Sequence, residues 1–501
     1  NINKYVAPRN KQEKLICQAF VKVLGVEKVG IDDDFFKLGG NSIKAITLTC
    51  NLQVDFHINV TDIFNFKTVR RIAKNIFLEK NNLILRLEQA KTIYQIKNRI
   101  SLVSSQLQVK LDNYFFSIQR LTFDYKVKPL ANILLTGATG FLGCNLLDQL
   151  LTLTDYNIFL LIRAGSDAEA FYRINRKFKL YFDKNLDQLK DSRIFVFAAD
   201  LEKNNLSFSN KDFQKLASQI DSIIHAAALT KHYGEYDKFY SANVQATINL
   251  LELSKLTKMK DFHYISTSSI LKEGYIPKCD QYIFTEDDLG SNLEGRSNVY
   301  VKSKYQGERV VIDYRRYGVM TNIYRVGNLA FMANNYRVQE NMADNGFLNR
   351  LKCLLKLGII TPSIETEEIS PVDLTAKAVV KLFNKQQLSN GIYHVFNSFS
   401  CDIAKALNEE KVLPIQTLTL AGFFDTLIKS LEKSEYKELI QCFLLHQGWL
   451  EDYTLSTNIQ ILQNRTTAIL QQLDFEWLNI DSKIFKAFIE KNYPSLLHER
   501  V

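Results

Sequence analysis

Tyr300 and Lys304 stand four residues apart in Tyr300-Val301-Lys302-Ser303-Lys304, a spacing that puts both side chains on one face of a helix. A free phenol, with a pKa of about 10, is a poor proton donor at neutral pH. An ammonium beside it favours phenolate and pulls that pKa down. Such a pair can give a proton to an oxygen that is gaining negative charge. Ser266-Thr267-Ser268-Ser269 follows the apolar run 262–265, and a hydroxyl there can hydrogen-bond the same oxygen. Thr267 is the preferred donor and Ser268 the near alternative. With 23 Tyr in a Lys-rich chain, Tyr-x-x-x-Lys alone recurs by coincidence. Its weight comes from the residues upstream.

Upstream lies the turn Thr136-Gly137-Ala138-Thr139-Gly140-Phe141-Leu142-Gly143, between the short apolar run Ile133-Leu134-Leu135 and a helical stretch over 143–153. Glycines between strand and helix let the backbone approach a pyrophosphate, and the helix start adds free N–H donors. The second strand, 158–162, ends in Arg163 instead of Asp or Glu. A carboxylate there would accept from ribose hydroxyls and repel a ribose phosphate, whereas Arg attracts one, so NADPH is preferred over NADH. Arg173 is a second candidate for that phosphate. Asp200-Leu201 follows the third strand, 194–197, where the carboxylate either accepts from an adenine amino group or caps the next turn. His225-Ala226-Ala227-Ala228 ends the fourth strand; small residues there admit the nicotinamide side, and His225 reads as a packed residue.

These groups need a sheet to hold them. From Ile133 onward, short apolar runs alternate with helical stretches, the pattern of a doubly wound parallel sheet. After about Leu329 the alternation weakens and helices dominate. Residues 1–80 are different: apolar spacing predicts helices over 13–24, 42–52 and 69–77, three helices around a polar loop. Leu83 to Leu111 has helical periodicity, which Pro129 closes; residues 81–128 read as a helical linker or an N-terminal extension of the nucleotide-binding core. That core spans 129–328, and 329–501 is a mainly C-terminal, helix-dominated region with returning core segments.

The 501 residues allow two or three domains, and 46% hydrophobic with 23% charged residues is ordinary for a globular chain. No apolar run is long enough to span a bilayer, and the polar start has no signal peptide, so a cytoplasmic location is expected. The missing initiator Met is expected of a piece of something longer. Seven dispersed Cys without Cys-x-x-Cys, and dispersed His, argue for reduced thiols and no metal site. A net charge of +9 without a concentrated basic face does not suggest nucleic-acid binding.

Residues 130–501 resemble the extended short-chain dehydrogenase/reductases. Within them they look like the terminal thioester reductase domains of nonribosomal peptide synthetases, aminoadipate reductases and carboxylic acid reductases. The likeness rests on 134–143, Leu161-Ile162-Arg163-Ala164, Ile224-His225-Ala226-Ala227, Ala242-Asn243-Val244, Tyr264-Ile265-Ser266-Thr267, Tyr324-Arg325-Val326-Gly327-Asn328 and Pro371-Val372-Asp373. It implies Thr267, Tyr300 and Lys304 as catalytic triad. The cofactor positions it implies are Gly137, Thr139, Gly140, Phe141, Leu142, Gly143, Arg163, Arg173, Asp200, Leu201, Ala226, Ala227, Asn243 and Lys304. Residues 1–80 are similar to peptidyl carrier domains through Asp34-Phe35-Phe36-Lys37-Leu38-Gly39-Gly40-Asn41-Ser42-Ile43. That similarity implies a covalent 4'-phosphopantetheine arm on Ser42, whose bland reading is a helix N-cap. Asp32, Asp33 and Asp34 read as a solvated acidic face or partner contact.

The expectation is a small helical carrier bundle followed by a Rossmann-type α/β sheet and a mostly helical substrate subdomain. Its expected activity is NADPH-dependent reductive release of an acyl or peptidyl thioester as an aldehyde or alcohol. Implied partners are a phosphopantetheinyl transferase, upstream adenylation or condensation domains and the carrier-bound substrate. The rivals are a non-redox docking or cyclising module and a nucleotide-sugar epimerase or dehydratase.

Overall fold

The computed structural model describes residues 5–52, 56–58, 60–78, 105–121, 126–231, 234–271, 282–290, 298–342, 345–361, 366–410, 412–430, 433, 436, 439, 440 and 459–498. Among the described residues the N-terminal unit has four helices, not three: α1 (Lys11–Leu24), α2 (Ser42–Leu52), α3 (Val60–Phe66) and α4 (Val69–Asn75). α3 escapes a periodicity search because its 7 residues cover two turns. α4 stops at Asn75, and Phe77–Leu78 instead pairs antiparallel with Phe56–His57. Phe20, Phe35, Phe36 and Phe64 form the aromatic centre of this small core.

Asp32, Asp33 and Asp34 brace the loop before α2 instead of forming a free acidic face. Asp32 holds Arg70 through two oxygens at 2.6 and 2.7 Å, and Asp33 accepts from the Gly30 N–H at 2.7 Å. Asp34 accepts from the Phe36 and Lys37 N–H groups.

Most of the helix expected to start at Leu83 lies outside the described residues. Within them, α5 (Ser105–Gln119) packs on the large unit. The Tyr114 hydroxyl donates to Glu286 at 2.8 Å, and Lys110 donates to the Ile283 carbonyl and to Asp288. The other Glu286 oxygen takes both the N–H and the hydroxyl of Thr466 at 2.9 Å. A helix early in the chain is thereby sewn to a loop and to the C-terminal region.

The large unit is built on β1 (Asn132–Thr136), α6 (Phe141–Leu153), β2 (Asn157–Ile162), α7 (Asp167–Phe182), β3 (Ile194–Ala198), α8 (Asn210–Gln219), β4 (Ser222–His225), α9 (Ala246–Lys255), β5 (Asp261–Thr267), α10 (Val299–Asp313), β6 (Thr321–Val326), α11 (Gly346–Leu357), α12 (Val372–Phe383) and β7 (Ile392–Val395). The seven strands are all parallel, in the spatial order β7-β6-β5-β4-β1-β2-β3. This is a Rossmann-type doubly wound sheet, whose order reverses at β1 and opens a crevice there. Its strands read as unbroken apolar runs because helices cover both faces. α6, α7 and α12 bury one face, and α8 and α9 the other, with Val311 of α10 beside them.

The returning core segments are α12, β7 and α15 (Asn464–Gln472) of the C-terminal set α13 (Ile403–Glu409), α14 (Leu420–Ser430), α15 and α16 (Ser482–Asn492). α11, α13, α14 and α16 share a separate core. Among the described residues, no helix is long and apolar enough to cross a membrane.

Replacing Glu286 strands two buried donors and the Tyr114 hydroxyl. Glu286→Ala is therefore expected to cost the large unit roughly 3 kcal/mol in urea unfolding, against about 1 kcal/mol for Tyr114→Phe.

Candidate active site

The C-terminal ends of β1, β2, β4, β5 and β6 open into one cavity of about 1570 Å³. It is lined by Gly137, Thr139, Gly140, Phe141, Leu142, Gly143, Arg163, Arg173, Asp200, Leu201, Ala226, Ala227, Thr267, Tyr300 and Lys304. Of the positions expected in this unit, Asn243 alone is missing from that lining.

The glycine turn has a steric cause. Gly137 has φ +76°, and a Cβ there would sit 2.5 Å from the Ala227 nitrogen. A Cβ on Gly143 would come 2.0 Å from the Gly137 carbonyl oxygen. The turn thus packs backbone against backbone, and Gly140 starts α6 without a side-chain cap. Its first N–H groups stay available to an anion.

At the far end, Arg163 lies 3.7 Å from Glu202, and the Arg173 guanidinium donates to the Arg163 carbonyl. Two residues that the sequence did not single out join them. Lys177 of α7 lines the cavity, as does Glu340 from beyond β6, and the two are ion-paired. Arg176 also meets Glu340, at 2.9 Å. Lys177 was hidden because one lysine in a helix rich in cations carries no signal. Asp200 takes the Glu202 N–H at 3.1 Å, so its carboxylate braces the turn while facing the cavity.

His225 is buried in a relay of hydrogen bonds. The Ala227 N–H donates to the Thr136 hydroxyl at 3.3 Å, and that hydroxyl lies 2.8 Å from His225 Nδ1. His225 Nε2 lies 3.0 Å from the Thr247 hydroxyl, which donates to the Asn243 carbonyl. Because Thr247 has used its proton, Nε2–H is the donor and Nδ1 the acceptor. Burial pulls the His225 pKa down to about 3, which keeps the ring neutral.

Asn243 is a brace and does not line the cavity. It is 1% exposed, exchanges hydrogen bonds with both backbone groups of Leu229, and donates to the Ser303 hydroxyl at 2.8 Å. Ser303 in turn donates to the Tyr300 carbonyl at 2.7 Å. Asn243 sits in a π-helical turn, Tyr240–Gln245, which runs into α9, and its side chain links the strand-end loop to α10.

Asn298 caps α10 by accepting from the Tyr300 and Val301 N–H groups. Thr267 faces the cavity and Ser268 does not line it. The Thr267 oxygen accepts from the Ser269 N–H at 3.2 Å, which leaves its own proton to donate. Lys304 is 3% exposed, and burial lowers its pKa to about 7, with Glu308 opposing the shift. Burial pushes the Tyr300 phenol up to about 12. The lowering expected from a neighbouring ammonium does not prevail. Lys304 is turned to the Ile265 carbonyl at 2.5 Å and to the Tyr264 ring.

Residues 135–379 match the NAD-binding family described as "Male sterility protein", and residues 14–76 match "Phosphopantetheine attachment site". Among solved structures, a thiolation-reductase di-domain from an archaeal non-ribosomal peptide synthetase superposes with a TM-score of 0.74. It is 26% identical, over 98% of this chain and 100% of that one. This chain joins a region like phosphopantetheine attachment domains to one like the NAD-binding reductase family.

Two curated relatives of the carrier–reductase didomain are much longer. A linear gramicidin synthase subunit of Brevibacillus parabrevis is 26% identical over 97% of this chain and 9% of its own length. L-2-aminoadipate reductase of Saccharomyces cerevisiae is 29% identical over 74% of this chain and 27% of its own. The didomain thus spans a minor part of either.

In the carrier, Ser42 is the first residue of α2, and the capping role belongs to its neighbour. Asn41 accepts from the Lys44 N–H at 2.9 Å, so the helix start does not require Ser42 as a cap. Lys67 of the carrier ion-pairs with Glu235, which lines the cavity together with Lys238.

Gly143→Ala drives a methyl into the Gly137 carbonyl. Overpacking of about 1–3 kcal/mol corresponds to roughly 10–100-fold weaker cofactor binding, measured by quenching of protein fluorescence on titration with NADPH.

Proposed function

We propose that the didomain releases an acyl or peptidyl group reductively from a phosphopantetheine arm on Ser42, using NADPH. The observation that carries the reading is the convergence of Thr267, Tyr300, Lys304 and the glycine turn on one cavity, in a chain that also holds the carrier serine. The cofactor would be held by the Gly137–Gly143 turn, by Ala226 and Ala227, and at its ribose phosphate by Arg163 and Arg173. When bound, it supplies a hydride to the thioester carbonyl carbon.

The chain's own groups manage the oxygen and the proton. The Thr267 hydroxyl and the Tyr300 phenol hold the carbonyl oxygen as it gains charge. Tyr300 then gives its proton to that oxygen, and Lys304 keeps the pair supplied with positive charge. The resulting thiohemiacetal breaks its C–S bond, freeing an aldehyde and the arm's thiol. A second turnover on the aldehyde gives an alcohol. A phosphopantetheinyl transferase and upstream synthetase domains are the implied partners. Because the substrate is tethered, its local concentration is high without tight binding.

The decisive experiment loads an acyl-phosphopantetheine on the chain and follows the intact mass with and without NADPH. The acyl group is expected to leave only with NADPH, and Ser42→Ala is expected to accept no arm. Departure without reductant would make the second domain hydrolytic or cyclising. Tyr300→Phe is expected to keep cofactor affinity and lose roughly 10²–10⁴-fold in turnover. Arg163→Ala removes a charge-assisted contact of about 1.5–3 kcal/mol, so the NADPH KM rises roughly 10–100-fold while NADH kinetics stay level.

A further inference from the structure

Lys304 lines the cavity yet is only 3% exposed, so most of what meets its ammonium is protein. Its Nζ donates to the Ile265 carbonyl at 2.5 Å and lies 4.0 Å from the centroid of the Tyr264 ring. Tyr264 is fully buried in β5, three residues before Thr267. The space for its ring under α10 exists because residue 307 is Gly: a Cβ there would stand 2.2 Å from the Tyr264 hydroxyl. The helix therefore omits a side chain to let an aromatic face lie beneath the lysine.

Of the other charges around Lys304, Glu308 favours the ammonium but is engaged by a partner of its own. Glu308, one turn along α10, is held by Arg325 of β6 at 2.8 and 3.0 Å. His225 of β4 is neutral and gives no counter-charge. Tyr236, from the segment preceding the π-helical turn, takes Lys302 on another face of α10. Tyr300 is on the same helix and its phenol stays protonated.

We propose that Tyr264 is a positioning residue for the reduction: its ring face holds Lys304 charged and in place beside Tyr300. This rests on the reading of Tyr300 and Lys304 as the proton-donating pair. A cation over a desolvated aromatic face is stabilised by the ring quadrupole. Weakening the face without changing its size must lower the pH at which Lys304 loses its proton. The alkaline limb of the pH–rate profile must then move to lower pH.

Ring fluorination makes that change. The full chain is prepared as Tyr264→Phe and with monofluoro-Phe or trifluoro-Phe at the same position, which keep the ring's volume and fold. Two readouts are taken: the pH titration of the Lys304 13Cε signal, assigned by its loss in Lys304→Met, and the pH dependence of NADPH oxidation with an acyl-pantetheine thioester. Tyr264→Phe is expected to behave as the natural chain. Each fluorine is expected to lower the Lys304 midpoint and the alkaline limb together, with trifluoro-Phe roughly 10-fold slower at pH 8. An unmoved Lys304 midpoint across the series overturns the proposal. A midpoint that moves while NADPH is never consumed upholds the ring–lysine contact and overturns the functional reading and, with it, the catalytic purpose of Tyr264.

Discussion

Helix α10 brings two charges to the buried side of the sheet, and the site depends on how they are met. Glu308 and Arg325 form a two-point ion pair with exposures of 1% and 0%. Removing one partner from such a pair leaves a lone buried charge, at a cost of about 3–5 kcal/mol. Arg325 has no slack: its remaining nitrogen donates to the Asp288 carbonyl at 2.7 Å and approaches His394 Nε2 at 3.3 Å. α10 is thereby clamped to β6 and β7, and Tyr300 and Lys304, two turns and one turn upstream of Glu308, have no freedom to slide.

The same economy governs the strand ends. Thr136, His225, Thr247, Asn243, Ser303 and the Tyr300 carbonyl form one chain of hydrogen bonds from the glycine turn to α10. Each member is satisfied by the next, which is how a buried polar row avoids the cost of unmade bonds. The glycine turn and the start of α10 are therefore parts of one hydrogen-bonded object. The carrier meets that object through an ion pair at the cavity rim, Lys67 with Glu235, and partly exposed pairs of this kind are weak.

Much of the site was legible because its parts are local. The glycine turn, the Ser/Thr cluster and Tyr-x-x-x-Lys are each a few residues long, and each sits beside a strand or helix with a clear period. Lys177 and Glu340 were not legible, since their meeting spans 163 residues and neither belongs to a local pattern. Asn243 shows what a local motif leaves open. It lies in a short segment that resembles a family motif, yet its amide is turned inward to Leu229 and Ser303. α5 was ambiguous because its periodicity marks a helix and says nothing of what that helix packs on.

By itself the sequence determined the order of the domains, the parallel sheet and the residue types that meet in the cavity. Those follow from apolar periodicity and from glycine where a Cβ cannot fit, which are properties of neighbouring residues. Only the tertiary structure decided which of those groups face the cavity and what charge each carries. Tyr300 and Lys304 show why: four residues apart, they were expected to perturb each other, but burial moves both pKa values and Tyr264 and Ile265 hold the ammonium. Desolvation and distant partners are set by packing, and no spacing along a chain encodes them.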